Sequence, residues 1–277
     1  MLVDGTDPRQ RDEWLRGVYT DEVLTVQLTP APDLANGAGA PTSSSAMPTV
    51  MAGMLEVLDL QPGHRVLEIG TGTGYHAALL CHRAGPEHVT SVELDPHVAE
   101  TARRALARLG LHPAVHTGDG AAGLAAVAPF DRIIATAATD HIPPSWISQL
   151  APGGSIVVDL RGSLDGSLLR LTAIDSDVAE GSFVNLPGAF MPMRTRLDSP
   201  HRDGESWDQV FDQRNPQHGT TPLDPGLVAD NRSLRFMAQL HLAGRRLRGF
   251  LRSLSGAELS GHSTDHPDSR YRWPLPL

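Results

Sequence analysis

Lysine is absent from this chain, and all 23 basic residues are arginine. With frequent alanine and glycine, that usage looks like the translation of a GC-rich gene and says nothing about function. The absence of lysine does exclude a P-loop, which needs Gly-Lys-Ser/Thr after its glycines. Basic charge is also short of acidic charge. The formal net charge of -9 argues against a surface built to grip nucleic-acid phosphates. Cysteine is nearly missing. Cys81 stands alone, so no internal disulfide can form and a thiolate metal centre is disfavoured. Its place in the apolar pattern AALLCHRAG predicts a buried structural thiol. No apolar run approaches the ~18 residues of a membrane span. The polar, acidic opening MLVDGTDPRQRDEW has no signal-peptide core. The expectation is a soluble, cytoplasmic protein that does not bind membranes. No HExxH occurs, and the His262/His266 pair is flanked by Pro and Asp that disfavour a helix, so no metal site is expected.

What is present supports a sizeable fold. At 277 residues and 40% hydrophobic content, one large domain, or one domain with a long extension, can bury a real core. Three zones are visible. Residues 1–60 contain a loop, TPAPDLANGAGAPTSSS, ahead of a helix. Residues 61–197 alternate β-rich runs with helical patterns. The strands predicted there are 65–70, 88–94, 114–119, 130–138, 154–160 and 167–175, with helical patterns between the first four, including 98–110. Such alternation with short turns implies a doubly wound, mostly parallel α/β sheet with helices on both faces. Residues 198–277 form a C-terminal extension, irregular at first and then apolar and basic over 233–256. Arg245, Arg246, Arg248 and Arg252 there are either a solvated helix face or a dock for an acidic peptide. The last residues, HSTDHPDSRYRWPLPL, read as loop or tail. No internal repeat is evident.

The most specific signal is RVLEIGTGTGYHAALL. An apolar strand carrying Glu68 runs into Gly70, Gly72 and Gly74, and a helix follows. Glycines at a strand-to-helix turn allow positive φ and close approach of a ligand to the backbone. The dinucleotide fingerprint is G-x-G-x-x-G, but Tyr75 stands where its last glycine belongs. An acid two places before the first glycine suits a cationic amino-acid ligand better than a pyrophosphate. Glu93, in SVELD, ends the second strand at the offset where a carboxylate reaches ribose hydroxyls. Asp119 and Gly120, in TGDG, end the third, where an acid can accept from an exocyclic amino group. Any one of these acids could be a helix cap. Three in register at the carboxyl side of one sheet point to a nucleoside-containing cofactor.

These residues resemble a class I S-adenosylmethionine-dependent methyltransferase of Rossmann-like fold. Within that class the chain is similar to the protein-L-isoaspartyl O-methyltransferases. VLEIGTGTGYHAALL is close to that family's first motif, and MLEVLDLQPGHRVLEIG matches its lead-in helix and strand. GDG and FDRIIATAATDHIPPSWISQLAPGGSIV match later blocks, with VYTDEVLTVQL and GAFMPMR at the two ends. The likeness covers roughly residues 14–196. It implies S-adenosyl-L-methionine as cofactor and a peptide or protein as partner, and leaves the oligomeric state open. Glu68, Gly70 and Gly72 would then surround the methionine part, Glu93 the ribose, and Asp119 with Gly120 the adenine. Thr71, Gly74 and Leu94 complete the implied cofactor set. The chain lacks the Asn-Pro-Pro-aromatic tetrad of DNA amino-methyltransferases.

Methyl transfer to an aspartyl-type carboxylate needs alignment rather than a base, because the acceptor (pKa ~4) is already ionised at neutral pH. No base is evident beside the glycines, and His76 is expected to pack or face solvent. In the family, the loop before the lead-in helix reads Thr-Ile-Ser-x-Pro, with its serine near the acceptor. Aligning Pro48 with that proline places Ala46 where the serine belongs. Ser45, and next Ser44, are the candidates to take that role from a shifted position, with Ser43, Ala46, Ile142 and Pro143 on the substrate side. The plainer alternative is that Ser45 caps the following helix, which carries Met51, Met54, Leu55 and Leu58. The altered loop and long extension suggest a dedicated enzyme for a ribosomally made peptide. Isoaspartyl repair, a small-molecule O-methyltransferase and a non-catalytic cofactor-binding module are the alternatives.

Overall fold

The computed structural model describes residues 7–29, 39–162, 165–186, 188, 190–197, 217–221, 231, 236 and 271–275. The chain divides into two compact units, Met1–Leu160 with Ser167–Ser199, and Arg161–Gly166 with Pro200–Leu277.

The first unit is built on a seven-stranded sheet. Its strands are β3 (Val66–Ile69), β4 (Val89–Glu93), β5 (Ala114–Thr117), β6 (Phe130–Ala135), β7 (Leu150–Arg161), β8 (Gly166–Ala173) and β9 (Ala179–Phe183), in the order β5-β4-β3-β6-β7-β8-β9. The pairings β4/β5, β3/β4, β3/β6 and β6/β7 are parallel, and β8/β9 is antiparallel. Helices α3 (Tyr75–Ala84) and α4 (Pro96–Arg108) make the first two crossovers. The six expected strands and the doubly wound architecture are therefore found. The expected helix between β5 and β6 is not. Two short 3-10 turns stand there, and Gly123 between them, at φ +62°, stops them from joining.

Strand periodicity splits the core in two. On β3, Val66 packs with Met54, Leu58, Leu80 and Val89 on the face covered by α3 and by α2 (Pro48–Leu58). Leu67 and Ile69 pack with Ile133, Ile156 and Trp146 on the face covered by α5 (Pro144–Ser148). Side chains that alternate between two covered faces make β3 buried at every position, as a central parallel strand requires. Cys81 lies in the first layer as expected. Burial, and then the Glu68 carboxylate, push its thiol up to about 11.

A second, two-stranded sheet precedes this core. Strand β1 (Leu24–Thr29) follows α1 (Arg11–Val18) and pairs antiparallel with β2 (Ala40–Ser45). The serine-rich stretch expected as loop is thus a strand. Leu24 faces Ser45, Thr25 faces Ser44 and Gln27 faces Ser43, with register shifts on both sides of Gln27. Ser45 does not cap α2. The cap position is Met47, without a side-chain hydrogen bond, and Pro48 opens the helix. Asp21 takes the capping role from outside, accepting from Thr49 N at 2.9 Å and Thr49 Oγ1 at 2.6 Å.

In the second unit, β10 (Gln217–Thr221) pairs antiparallel with β11 (Tyr271–Leu275). The end of the chain, expected as loop, therefore contains a strand, consistent with its alternating Tyr271 and Trp273. Arg245, Arg246, Arg248, Arg252, His262 and His266 lie outside the described residues. Among the described residues, no helix is long and apolar enough to cross a membrane, and no group of three or more His, Cys, Asp or Glu could hold a metal ion.

Candidate active site

The strand order reverses direction between β3 and β6. In open α/β sheets, ligands bind in the crevice beyond the carboxyl ends of the strands at such a switch point. The glycine turn after β3 and the Thr136–Pro143 loop after β6 meet there. Gly70, Gly72 and Gly74 have φ of +91°, +54° and +81°. A Cβ built on Gly70 would lie 2.8 Å from Thr136 Oγ1, which donates to the Gly70 carbonyl at 2.6 Å. A Cβ on Gly74 would lie 3.3 Å from Ala102 and from Leu106, so this glycine lets α4 pack against the turn. At Gly120 a Cβ would meet Ile69 Cγ2 at 2.5 Å, and the Gly120 carbonyl accepts from Trp146 Nε1 at 2.8 Å.

Glu93 is held from two sides. Its Oε2 accepts from Gly72 N at 2.9 Å and its Oε1 from Asp95 N at 3.1 Å. Two acceptor positions of the carboxylate remain for other donors. Leu94, half-buried, links the two acids. Asp119 accepts from Ala121 N through Oδ1 at 2.9 Å, and its Oδ2 has no partner among the described residues.

Glu68 behaves differently from the expectation that it lines the crevice. Strand alternation turns it to the α3 face, where it is fully buried. Its Oε1 is 2.8 Å from His76 Nδ1 and its Oε2 accepts from Ser91 Oγ at 2.5 Å. Since Ser91 donates its only proton to the carboxylate, its contact with Thr71 Oγ1 at 2.6 Å has Thr71 as donor. The acid therefore fastens the glycine turn and the start of α3 to β4 from within. His76 packs, as expected. It is 4% exposed, and its Nε2 has no hydrogen-bond partner among the described residues.

The serine strand crosses in front of the glycine turn. A Cβ on Gly72 would stand 3.4 Å from the Ser44 carbonyl oxygen and 4.0 Å from Ser43 Oγ. Pleating puts Ser43 and Ser45 on one face and Ser44 on the other, so Ser44 has the weaker claim to the crevice. Ala46, expected on the acceptor side, packs against the core layer of Met54 and Leu58. Ile142 packs against the opposite layer, and Pro143 is the N-cap of α5. Sequence reasoning missed Ser91, Thr136, Gln27, Asp95 and the exposed Asp140–His141 pair at 2.6 Å. Only Ser91 had a readable signal, standing two residues before Glu93 on the α3 face.

Residues 10–181 match the model of the Protein-L-isoaspartate(D-aspartate) O-methyltransferase family. The chain belongs to that family. It is accordingly an S-adenosylmethionine-dependent O-methyltransferase. The chain is 43% identical over 150 residues to a protein-L-isoaspartate O-methyltransferase of Anaeromyxobacter dehalogenans, covering 53% of this chain and 71% of that one. It is 43% identical over 182 residues to the protein of the same name from Ignicoccus hospitalis, covering 64% and 83%. A solved protein-L-isoaspartate O-methyltransferase superposes with a TM-score of 0.57 at 33% identity, covering 66% of this chain and 56% of that chain. The Plasmodium falciparum structure, described as a putative member in complex with S-adenosyl-L-homocysteine, shares the fold at TM-score 0.52 and 15% identity, covering 64% and 82%. The residues present fit the cofactor. Among the described residues, a Cβ at Gly72 would meet only the Ser44 carbonyl and Ser43 Oγ, leaving the backbone there approachable, and Glu93 and Asp119 retain acceptor capacity for hydroxyl and amino donors.

Proposed function

We infer that this member of the family methylates the free α-carboxylate of isoaspartyl residues in damaged peptides or proteins. The observation that supports the reading is the approach of the serine strand to Gly72, where a built Cβ would stand 3.4 Å from the Ser44 carbonyl oxygen and 4.0 Å from Ser43 Oγ. S-adenosylmethionine, when bound, supplies an electrophilic methyl on sulfur. Gly70, Thr71 and Gly72 would take its amino-acid end, Glu93 its ribose and Asp119 with Gly120 its adenine. Ser45, with Ser43 on the same face, would donate to one oxygen of the acceptor and leave the other aimed at the methyl. Such a carboxylate is ionised at neutral pH, so the chain needs only to align it and exclude water. The nearest helix imidazole, His76, is turned inward to Glu68, in keeping with a reaction that needs no base.

The names of the matching relatives support isoaspartyl protein over a ribosomal-peptide precursor. The expectation of a dedicated peptide-tailoring enzyme rested on the altered serine loop and the C-terminal extension; the family match covers the first and ends at residue 181, before the second.

The test uses Ser43→Ala, Ser44→Ala and Ser45→Ala, assayed with an isoaspartyl peptide and its aspartyl counterpart. Ser45→Ala should cut transfer at least tenfold, with S-adenosylhomocysteine affinity and melting temperature held. Equal turnover of both peptides would refute the isoaspartyl assignment, and full activity in all three variants would refute the serine row.

A further inference from the structure

We propose that Gln27 is a positioning residue, a strut that ties the acceptor strand to the ribose-binding acid and lets a bound cofactor order the acceptor side. The inference rests on reading β2 as the acceptor strand. Sixty-eight positions separate Gln27 from Asp95, yet Gln27 Nε2 donates to Asp95 Oδ2 at 2.9 Å. The other end of the same amide, Oε1, accepts from Thr42 Oγ1 at 2.8 Å. Thr42 directly precedes Ser43. Asp95 N donates to Glu93 Oε1 and Gly72 N to Glu93 Oε2. One continuous hydrogen-bonded path thus runs Thr42, Gln27, Asp95, Glu93, Gly72.

Three features make this path more than a surface contact. The β1/β2 pair forms its own two-stranded sheet, separate from the central one. Isolated two-stranded sheets are marginally stable in water, so ties to the core must set its position. The ladder is irregular on both sides of Gln27, so the side chain supplies order where the backbone register breaks. Asp95 is also committed on its other oxygen. Its Oδ1 caps α4 by accepting from His97 N at 2.8 Å and Val98 N at 3.4 Å. Burial alone would raise the Asp95 carboxyl, but hydrogen bonds from Gln27 and from those amides hold it below its usual value. Arg194 Nη2 donates to the Thr42 carbonyl at 3.2 Å, a second tie at the same residue. A ligand that fixes Glu93 therefore biases Asp95, Gln27 and the strand beyond. By linkage, an acceptor that orders the strand favours the cofactor equally.

The test exchanges the polarity of the strut. Gln27→Glu alone sets two carboxylates against each other, and Asp95→Asn alone sets two amide donors against each other. With both substitutions together, the amide introduced at position 95 can donate to the carboxylate introduced at position 27. Thr42 still donates to that carboxylate, and the carbonyl oxygen of the new amide still caps α4. In the parent protein, saturating S-adenosylhomocysteine should slow amide exchange in 24–29 and 40–45. Each single variant should lose that protection and raise the KM for an isoaspartyl peptide about tenfold, the scale of one charge-assisted hydrogen bond. Its affinity for S-adenosylhomocysteine should stay within about threefold, the path lying on the acceptor side of Glu93. The double variant should recover both. Unchanged KM and protection in the single variants, or a double variant no better than either, would overturn the strut. Cofactor-dependent protection in a parent that transfers to no isoaspartyl peptide would refute the acceptor reading and sustain the coupling.

Discussion

Glu93 accepts the backbone N–H of Gly72 at 2.9 Å, so the acid proposed to hold the ribose is tied to the glycine turn. On the proposed reading, removing the carboxylate loses both a ribose contact and the restraint on the turn. Glu93→Ala should weaken S-adenosylhomocysteine by about 10- to 100-fold, as hydrogen bonds to charged groups contribute about 1.5–3 kcal/mol. Titration calorimetry would read this. An affinity within twofold of the parent would show that Glu93 only braces the turn.

The glycines can be separated by what surrounds them. Gly63 (φ +82°) has nothing within 4 Å of a built Cβ, whereas Gly70 (φ +91°) would press on Thr136 Oγ1 at 2.8 Å. Gly63→Ala should cost about 1–2 kcal/mol from left-handed backbone strain alone. Gly70→Ala should cost more than that in chemical denaturation, and should also lose cofactor affinity, which Gly63→Ala keeps.

His76 should matter to folding and not to chemistry. His76→Ala leaves the fully buried Glu68 side chain with one hydrogen-bond partner fewer, and losing such a bond costs about 1.5–3 kcal/mol. Gln in its place can still donate to Glu68 and should recover most of the loss. Folded His76→Gln, and His141→Ala on the exposed loop, should keep parental turnover of an isoaspartyl peptide. A large fall in kcat with intact folding would indicate a base, and with it a different acceptor class.

Asp21 gives a pH signature. Its hydrogen bonds from the Thr49 hydroxyl and amide hold its carboxyl below the usual value. A depressed folded pKa means stability that is present above the unfolded value, ~3.9, and is lost as pH falls through the folded one. The melting-temperature gap between the parent and Asp21→Ala should thus be widest near neutrality and close below about pH 4. Ser45→Ala should show no such gap, since it makes no cap at α2.

By itself the sequence determined the sheet and the strand-end positions of the residues proposed to hold the cofactor. Val66–Ile69, the three glycines, Glu93 and Asp119 are legible because strand alternation and the strand-turn-helix motif are local, within reach of a few residues. Tertiary structure decided the rest. The Pro- and Ser-rich run before α2 carries no apolar alternation, so only pairing with Leu24–Thr29 makes it a strand. Local spacing pointed to Ser45 as the cap of α2, but the better acceptor came from Asp21, 28 positions away. Glu68 has the position of a cofactor ligand in the motif, yet the face on which its strand parity falls is covered by α3, and an acid there must find buried partners. The Gln27–Asp95 bond has no sequence signal, because a single polar side chain becomes a strut only when folding brings a strand and a distant helix cap within hydrogen-bonding distance.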